Sequence, residues 1–149
     1  MITVRDILRQ KGNQIWWVSP ASTVFDALEL MAEKNLGALL VLDGEKIAGI
    51  FSERDYARKI ILKGKASKET SVEEIMTSEV TTVRPGQFVE ECMALMTDKR
   101  IRHLPVLEGE KLVGLISIGD VVKAVISEKE FTIKQLENYI TGGPTLARL

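Results

Sequence analysis

A serine and an aspartate three residues apart stand at two places in this chain of 149 residues. The stretches are Gly49-Ile50-Phe51-Ser52-Glu53-Arg54-Asp55 and Gly114-Leu115-Ile116-Ser117-Ile118-Gly119-Asp120. Two chemistries suit such a pair. At a helix start, Ser-x-x-Asp is a capping box: the hydroxyl accepts from a free backbone N–H and the acid reaches back to the cap. The same helix start offers N–H groups and partial positive charge to a phosphate. A serine hydroxyl can join those donors, and an aspartate can accept two hydrogen bonds from a ribose diol. On the motif alone both readings stand, a duplicated structural cap or a nucleotide-binding turn.

Other reactive side chains are few. His103 is the single histidine and Cys92 the single cysteine, so zinc-ligand spacing and internal disulfides are both absent. We expect no metal and no catalytic residue. Cys92 falls on the apolar side of a helical pattern and reads as core. A Cys92–His103 nucleophilic pair lacks any visible third group. There is no Gly-rich Lys-Ser/Thr loop of the kind that cradles phosphates in ATPases. The densest basic stretch, Asp98-Lys99-Arg100-Ile101-Arg102-His103, suits either a solvated helix C-terminus or phosphate neutralisation.

Composition narrows the class. Twenty Lys and Arg against twenty-one Asp and Glu leave a formal charge of -1, which argues against a broad nucleic-acid or membrane footprint. The longest apolar stretch, Ala38–Leu42, is strand-sized. One cysteine and no basic-then-apolar leader at Met1–Asp6 lead us to expect a cytoplasmic protein.

The two motifs belong to a longer repeat. Pro20–Asp55 aligns with Pro85–Asp120 without a gap, and fourteen of thirty-six positions are identical. Composition alone would give roughly two or three. In each copy a short helical turn (Val4–Arg9; Val72–Met76) leads to an extended piece ending at Pro20 or Pro85. A helix follows, with Val24, Ala27, Leu28 and Met31, or Val89, Cys92, Met93 and Met96, at i, i+3, i+4, i+7. Two apolar runs then flank Asp43-Gly44 or Glu108-Gly109, the pattern of a β-hairpin. A second helix begins after Ser52 and Ser117. Trp16 and Trp17 are adjacent in an extended piece, so one side chain faces the core and the other faces out. The chain is expected to divide into repeat 1 (1–62), a polar linker (63–70), repeat 2 (71–128), and a tail (129–149). The tail carries a short helix, Ile133–Ile140, a stop at Gly142-Gly143-Pro144, and loose residues Thr145–Leu149.

The repeated hairpin, the Gly-h-h-Ser-x-x-Asp junction (h, apolar), Arg102-His103-Leu104-Pro105-Val106 and the tandem order resemble a pair of cystathionine-β-synthase (CBS) domains, a Bateman-type module. The resemblance spans about Val4 to Ile126. It implies an α/β (α+β) fold of two β-α-β-β-α units packed sheet to sheet about a pseudo-twofold axis. It also implies clefts that take AMP, ADP, ATP or NAD, with S-adenosylmethionine less favoured. By the resemblance, Asp120 takes a ribose and Ser117 a phosphate, Thr82, Val83, His103 and Leu104 edge the base, and Arg100 and Arg102 supply charge. In the first copy Ser52 and Asp55 match, with Arg54 beside them, whereas Trp17 stands in place of Thr82 and Ala38 in place of His103. We therefore expect unequal clefts, the Asp120 cleft the stronger, because Glu53 repels a phosphate where Ile118 does not.

The function expected from this is a non-catalytic, nucleotide-sensing regulatory module, a homodimer that signals to an effector protein. The alternatives are a structural dimerisation module with empty clefts and a small nucleotide-processing enzyme.

Overall fold

Two apolar cores organise the molecule, and each draws residues from both repeats. The computed structural model describes residues 1–140. The first copy contains α1 (Val4–Lys11), β1 (Trp17–Val18), α2 (Val24–Lys34), β2 (Ala38–Asp43), β3 (Lys46–Ser52) and α3 (Glu53–Tyr56). α3 runs on as a wide π-type turn over Ala57–Ile61. The second copy opens with a 3-10 turn, Val72–Glu74, and continues through α4 (Val89–Lys99), β4 (His103–Glu108), β5 (Lys111–Ser117) and α5 (Ile118–Ile140). The fold is mixed α/β with two small sheets, as the sequence leads one to expect.

Local chemistry explains the elements. Thr3 and Asp6 form a capping box that starts α1, and Thr23 caps α2 by accepting from the Asp26 amide. The hairpin turns place Gly44 and Gly109 at φ 64° and 65°, a region that costs glycine nothing. β2 pairs antiparallel with β3, and β4 with β5, with a register shift after Val41 in one and after Val106 in the other. The bulge is thus copied along with the sequence. β1 adds a parallel edge to β2, and its counterpart is a single parallel bridge, Val83 to Val106. Trp17 on β1 is half-exposed, while Trp16 is partly buried against the first core, with Lys34 Nζ 4.5 Å from its ring centre.

The leading segments are exchanged. Val4 and Ile7 of α1 are buried with Val83, Val89, Cys92, Met96, Leu104, Val106, Ile116 and Val121 of the second copy. Val72 and Ile75 are buried with Val24, Met31, Leu39, Val41, Phe51 and Ile60 of the first. Backbone bonds repeat the exchange: Val4 N donates to Gln87 O, and Val72 N to Ser22 O, at 2.9 and 2.8 Å. Gly114 lies directly under the Leu8 side chain and Gly49 under Met76 and the Thr77 carbonyl.

α1 extends to Lys11, two residues past the helical turn that the sequence suggests, and ends at Gly12 with φ 91°. Ile133–Ile140 is helical but forms the last turns of α5 rather than a separate helix, since no glycine or proline interrupts Val121–Ile140. The Gly142-Gly143-Pro144 stop and Thr145–Leu149 lie outside the described residues. Among the described residues no helix is long and apolar enough to cross a membrane.

Candidate functional site

Both Ser-x-x-Asp motifs are closed capping boxes. The Ser52 amide and hydroxyl donate to Asp55 Oδ2 at 3.0 and 3.1 Å, and the Asp55 amide donates back to Ser52 Oγ at 3.2 Å. The Ser117 amide donates to Asp120 Oδ2 at 2.8 Å, and the Asp120 amide to Ser117 Oγ at 3.2 Å. The next N–H of each helix is also spent. Glu53 N donates to Gly37 O and Ile118 N to Arg102 O, at 3.1 and 2.8 Å. The first-turn donors that would attract an anion are thus largely committed to the fold.

The two aspartates then diverge. Asp55 is buried, with its other oxygen accepting from Thr77 Oγ1 at 3.1 Å and paired with Lys59 Nζ at 3.2 Å. The wide turn after α3 puts Lys59 there, and the same ammonium donates to Ile75 O at 3.0 Å. Asp120 is more open and meets Lys11, whose ammonium lies 2.6 Å from Oδ2 and 2.7 Å from Leu115 O. Burial raises the Asp120 carboxyl, but the Lys11 ammonium and the Ser117 donors outweigh it and hold its pKa below 3.8. His103 is shifted below its ordinary 6.5, first by burial and then by Lys11, against a smaller opposing pull from Asp120.

Both shifts fix a sign for acid stability. Folding favours ionised Asp120 and neutral His103, so the unfolded chain binds more protons and stability falls as pH falls. The histidine share disappears first, as pH drops below 6.5, and the aspartate share only below 3.8. We expect the melting temperature to decline from pH 7 to pH 5, and His103→Gln to flatten that part of the curve. An unchanged slope in the variant would remove His103 from the account.

A cavity of about 530 Å³ opens beside Asp55, at the seam between the repeats. Ser52, Arg54 and Asp55 of the first motif line it, with Arg100, Arg102 and His103 across the seam. Six of the residues singled out from the sequence therefore converge, drawn from both copies. The wall also holds Arg58, Lys59, Thr77, Glu79 and Thr81, which no motif marked. The remaining residues sit elsewhere. Val83, Leu104 and Ala38 are in the interior at 1%, 0% and 4% exposure, so their side chains are core rather than cleft surface. Trp17 and Thr82 are not on the cavity wall, and Ser117 and Asp120 lie at the Lys11 junction instead. His103 lies between the two regions: it lines the cavity and also feels Lys11 and Asp120.

Arg100 ends α4 in the left-handed region at φ 54°. The equivalent residue ending α2 is Asn35, also at φ 54°, a residue type that tolerates this conformation. Arg54 Nη1 donates to the Arg100 carbonyl at 3.1 Å, tying the first motif to the second copy's helix end. Cys92 is in the interior with its thiol pushed up to about 11, first by burial and then by Glu91 and Glu90, which makes it unreactive near neutrality.

Comparison with known proteins places this geometry. The family model for the CBS domain matches residues 4–62 and 72–127. The mitochondrial CBS domain-containing protein CBSX3 of Arabidopsis thaliana is 44% identical over 150 residues, covering 95% of this chain and 73% of its own. A solved structure from Burkholderia ambifaria, described as a candidate signal-transduction protein with CBS domains, is 58% identical. It superposes with a TM-score of 0.82 over 85% of this chain and 95% of its own. The hexameric CBS-CP12 protein of bloom-forming cyanobacteria is 32% identical, with a TM-score of 0.73 over 81% of this chain and 70% of its own.

Proposed function

Since the chain belongs to the CBS-domain family, as a tandem pair, we propose that it is a regulatory module that binds an adenosine nucleotide between its repeats and signals to a partner protein. The observation that carries this reading is the 530 Å³ cavity, which falls in the size range of ligand sites. Its wall joins the motif of one copy to the basic strand entrance of the other, so an occupant bridges both halves. Any ligand that bridges them changes how they are held together, which is the physical basis for sensing. The reading is non-catalytic, in line with relatives that are CBS-domain proteins.

The partner-facing part of the proposal rests on exposed apolar side chains. Met93 on α4 and Val122 and Ile126 on α5 are 41%, 44% and 51% exposed, more than a lone small protein gains from leaving in water. A second copy of the chain, packed helix to helix, covers them, and the hexameric cyanobacterial neighbour supports self-assembly as a habit of the fold. Light scattering at micromolar concentration should give twice the chain mass. A monomer mass would remove the homodimer.

The ligand is tested by melting curves with AMP, ADP, ATP and NAD. At about a hundred times Kd, a bound nucleotide adds roughly 2.7 kcal/mol of stability. If all four leave the melting temperature unmoved at millimolar concentration, the nucleotide reading is wrong.

A further inference from the structure

α5 outruns the body it belongs to. Val121 is buried, Ala124 and Val125 pack beside the second core, and among the described residues nothing after Val125 joins either core. The helix nevertheless continues to Ile140. A helical stretch draws most of its stability from packing an apolar face, so these last turns need a partner that the two cores do not supply. The sequence there has the spacing of such a face. Val122, Ile126, Lys129, Ile133, Leu136 and Ile140 follow one another at steps of four, three, four, three and four, the alternation that keeps one seam turned toward a neighbouring helix. All six are exposed, the apolar five from 44% at Val122 to 79% at Ile140.

Resting on the reading of the chain as a homodimer, we propose that this stripe is the dimer's seam, with α5 of one copy lying antiparallel against α5 of a second copy. Area favours a second copy as the occupant. Half-exposed side chains of this size offer on the order of 100 Å² each. Met93, Val122 and Ile126 alone then bury about 600 Å² over two copies, too little for a stable dimer. With Ile133, Leu136 and Ile140 the total reaches about 1,200 Å², where stable interfaces begin. Lys129 sets the direction. Parallel helices in register would bring Lys129 against its own copy, like charge on like charge. Antiparallel, Val122 faces Ile140, Ile126 faces Leu136 and Lys129 faces Ile133, so every position of the stripe is matched and each lysine stem lies on an isoleucine. Beside the seam, Lys123 meets Glu137 of the second copy, and the two Lys129 ammonium groups flank the Glu130 carboxylates at its centre. Among the described residues Lys123, Lys129 and Glu130 make no ion pair, so their charges are unspent.

The test is sedimentation equilibrium of the intact chain and two sets of variants. The unaltered chain should be a dimer at micromolar concentration. Ile133→Glu with Leu136→Glu should weaken dimerisation at least about a hundredfold. The near-ultraviolet signal of Trp16, packed on the first core, should be kept, because both substituted side chains lie outside the cores. Ile126→Cys with Leu136→Cys should give a disulfide-linked dimer on oxidation, whereas Ile126→Cys alone should not, because only the antiparallel order sets 126 against 136. Cross-linking through Ile126→Cys alone would mean parallel helices and overturn the proposal. A dimer that withstands both glutamates would overturn the seam and leave the homodimer to other surfaces. A monomer of the unaltered chain would overturn both, since something other than a second copy would then cover the stripe.

Discussion

Replacing Asp55 with alanine is expected to lower folding stability by about 3 kcal/mol, because it removes a buried carboxylate that joins three part-buried groups rather than merely deleting a cap. The carboxylate joins the start of α3, the wide turn after it and the strand-like segment at Thr77, through Ser52, Lys59 and Thr77. Removing it leaves the Thr77 hydroxyl without its acceptor and the Lys59 ammonium with only a carbonyl. Asp120→Ala should cost about 1 kcal/mol, the size of an ordinary cap, because that side chain is 23% exposed against 9% for Asp55 and has no counterpart of the Thr77 hydroxyl depending on it. Urea unfolding with unchanged slope measures both. Equal losses would mean that the buried network adds nothing beyond the cap that both copies share.

Gly49→Ala should cost a similar amount, about 3 kcal/mol, and Gly114→Ala only about 1 kcal/mol. A methyl group on Gly49 would sit 2.7 Å from the Thr77 carbonyl oxygen and 2.7 Å from Met76 Sδ. The backbone there is fixed by two bonds of 2.9 Å between Ile50 and Thr77, so the clash must break a bridge or displace a strand. At Gly114 the atoms in the way, at 2.6 and 2.9 Å, are the ends of the Leu8 side chain, which can change rotamer. Melting temperatures of the two variants measured side by side decide the matter. A larger loss at Gly114 would show that α1 holds Leu8 more rigidly than a side chain at a helix surface should be held.

The local elements were legible because each has a local cause. The hairpins follow from Asp43-Gly44 and Glu108-Gly109 between apolar runs, and the helices from apolar residues at helical spacing. The capping geometry at Ser52 and Ser117 was one of the two chemistries that the motif allows. What the sequence concealed is which copy each segment packs against. Val4 and Val72 occupy matching places in matching patterns, and nothing in such a pattern says that each docks on the other copy's sheet. Glycine at 49 and 114 marks a close approach without naming what approaches. Nor does a repeated pattern say that Arg100, Arg102 and His103 line a cavity with Asp55 of the other copy. Val83 and Leu104, assigned to a base edge by resemblance, have their side chains in the second core. The Lys11–Asp120 contact depends on two further residues of helix, and helix ends are the least determined feature of a periodic pattern.

The exchange of leading segments also orders events during synthesis. Val4 and Ile7 are made well before some of their neighbours, Ile116 and Val121, which come more than a hundred residues later. Until that distant stretch is made, the apolar side of α1 has no place of its own and must wait in water or on a temporary host. Contacts so far apart in the chain close slowly, since a long loop must be gathered before they repay its lost freedom. The first core can assemble once Ile75 is available, and the second only near the end. Helix α1, although translated before the rest of the core it joins, is therefore among the last of these parts to be locked, and an interruption of synthesis between residues 76 and 115 would leave it exposed as a surface prone to misassociation.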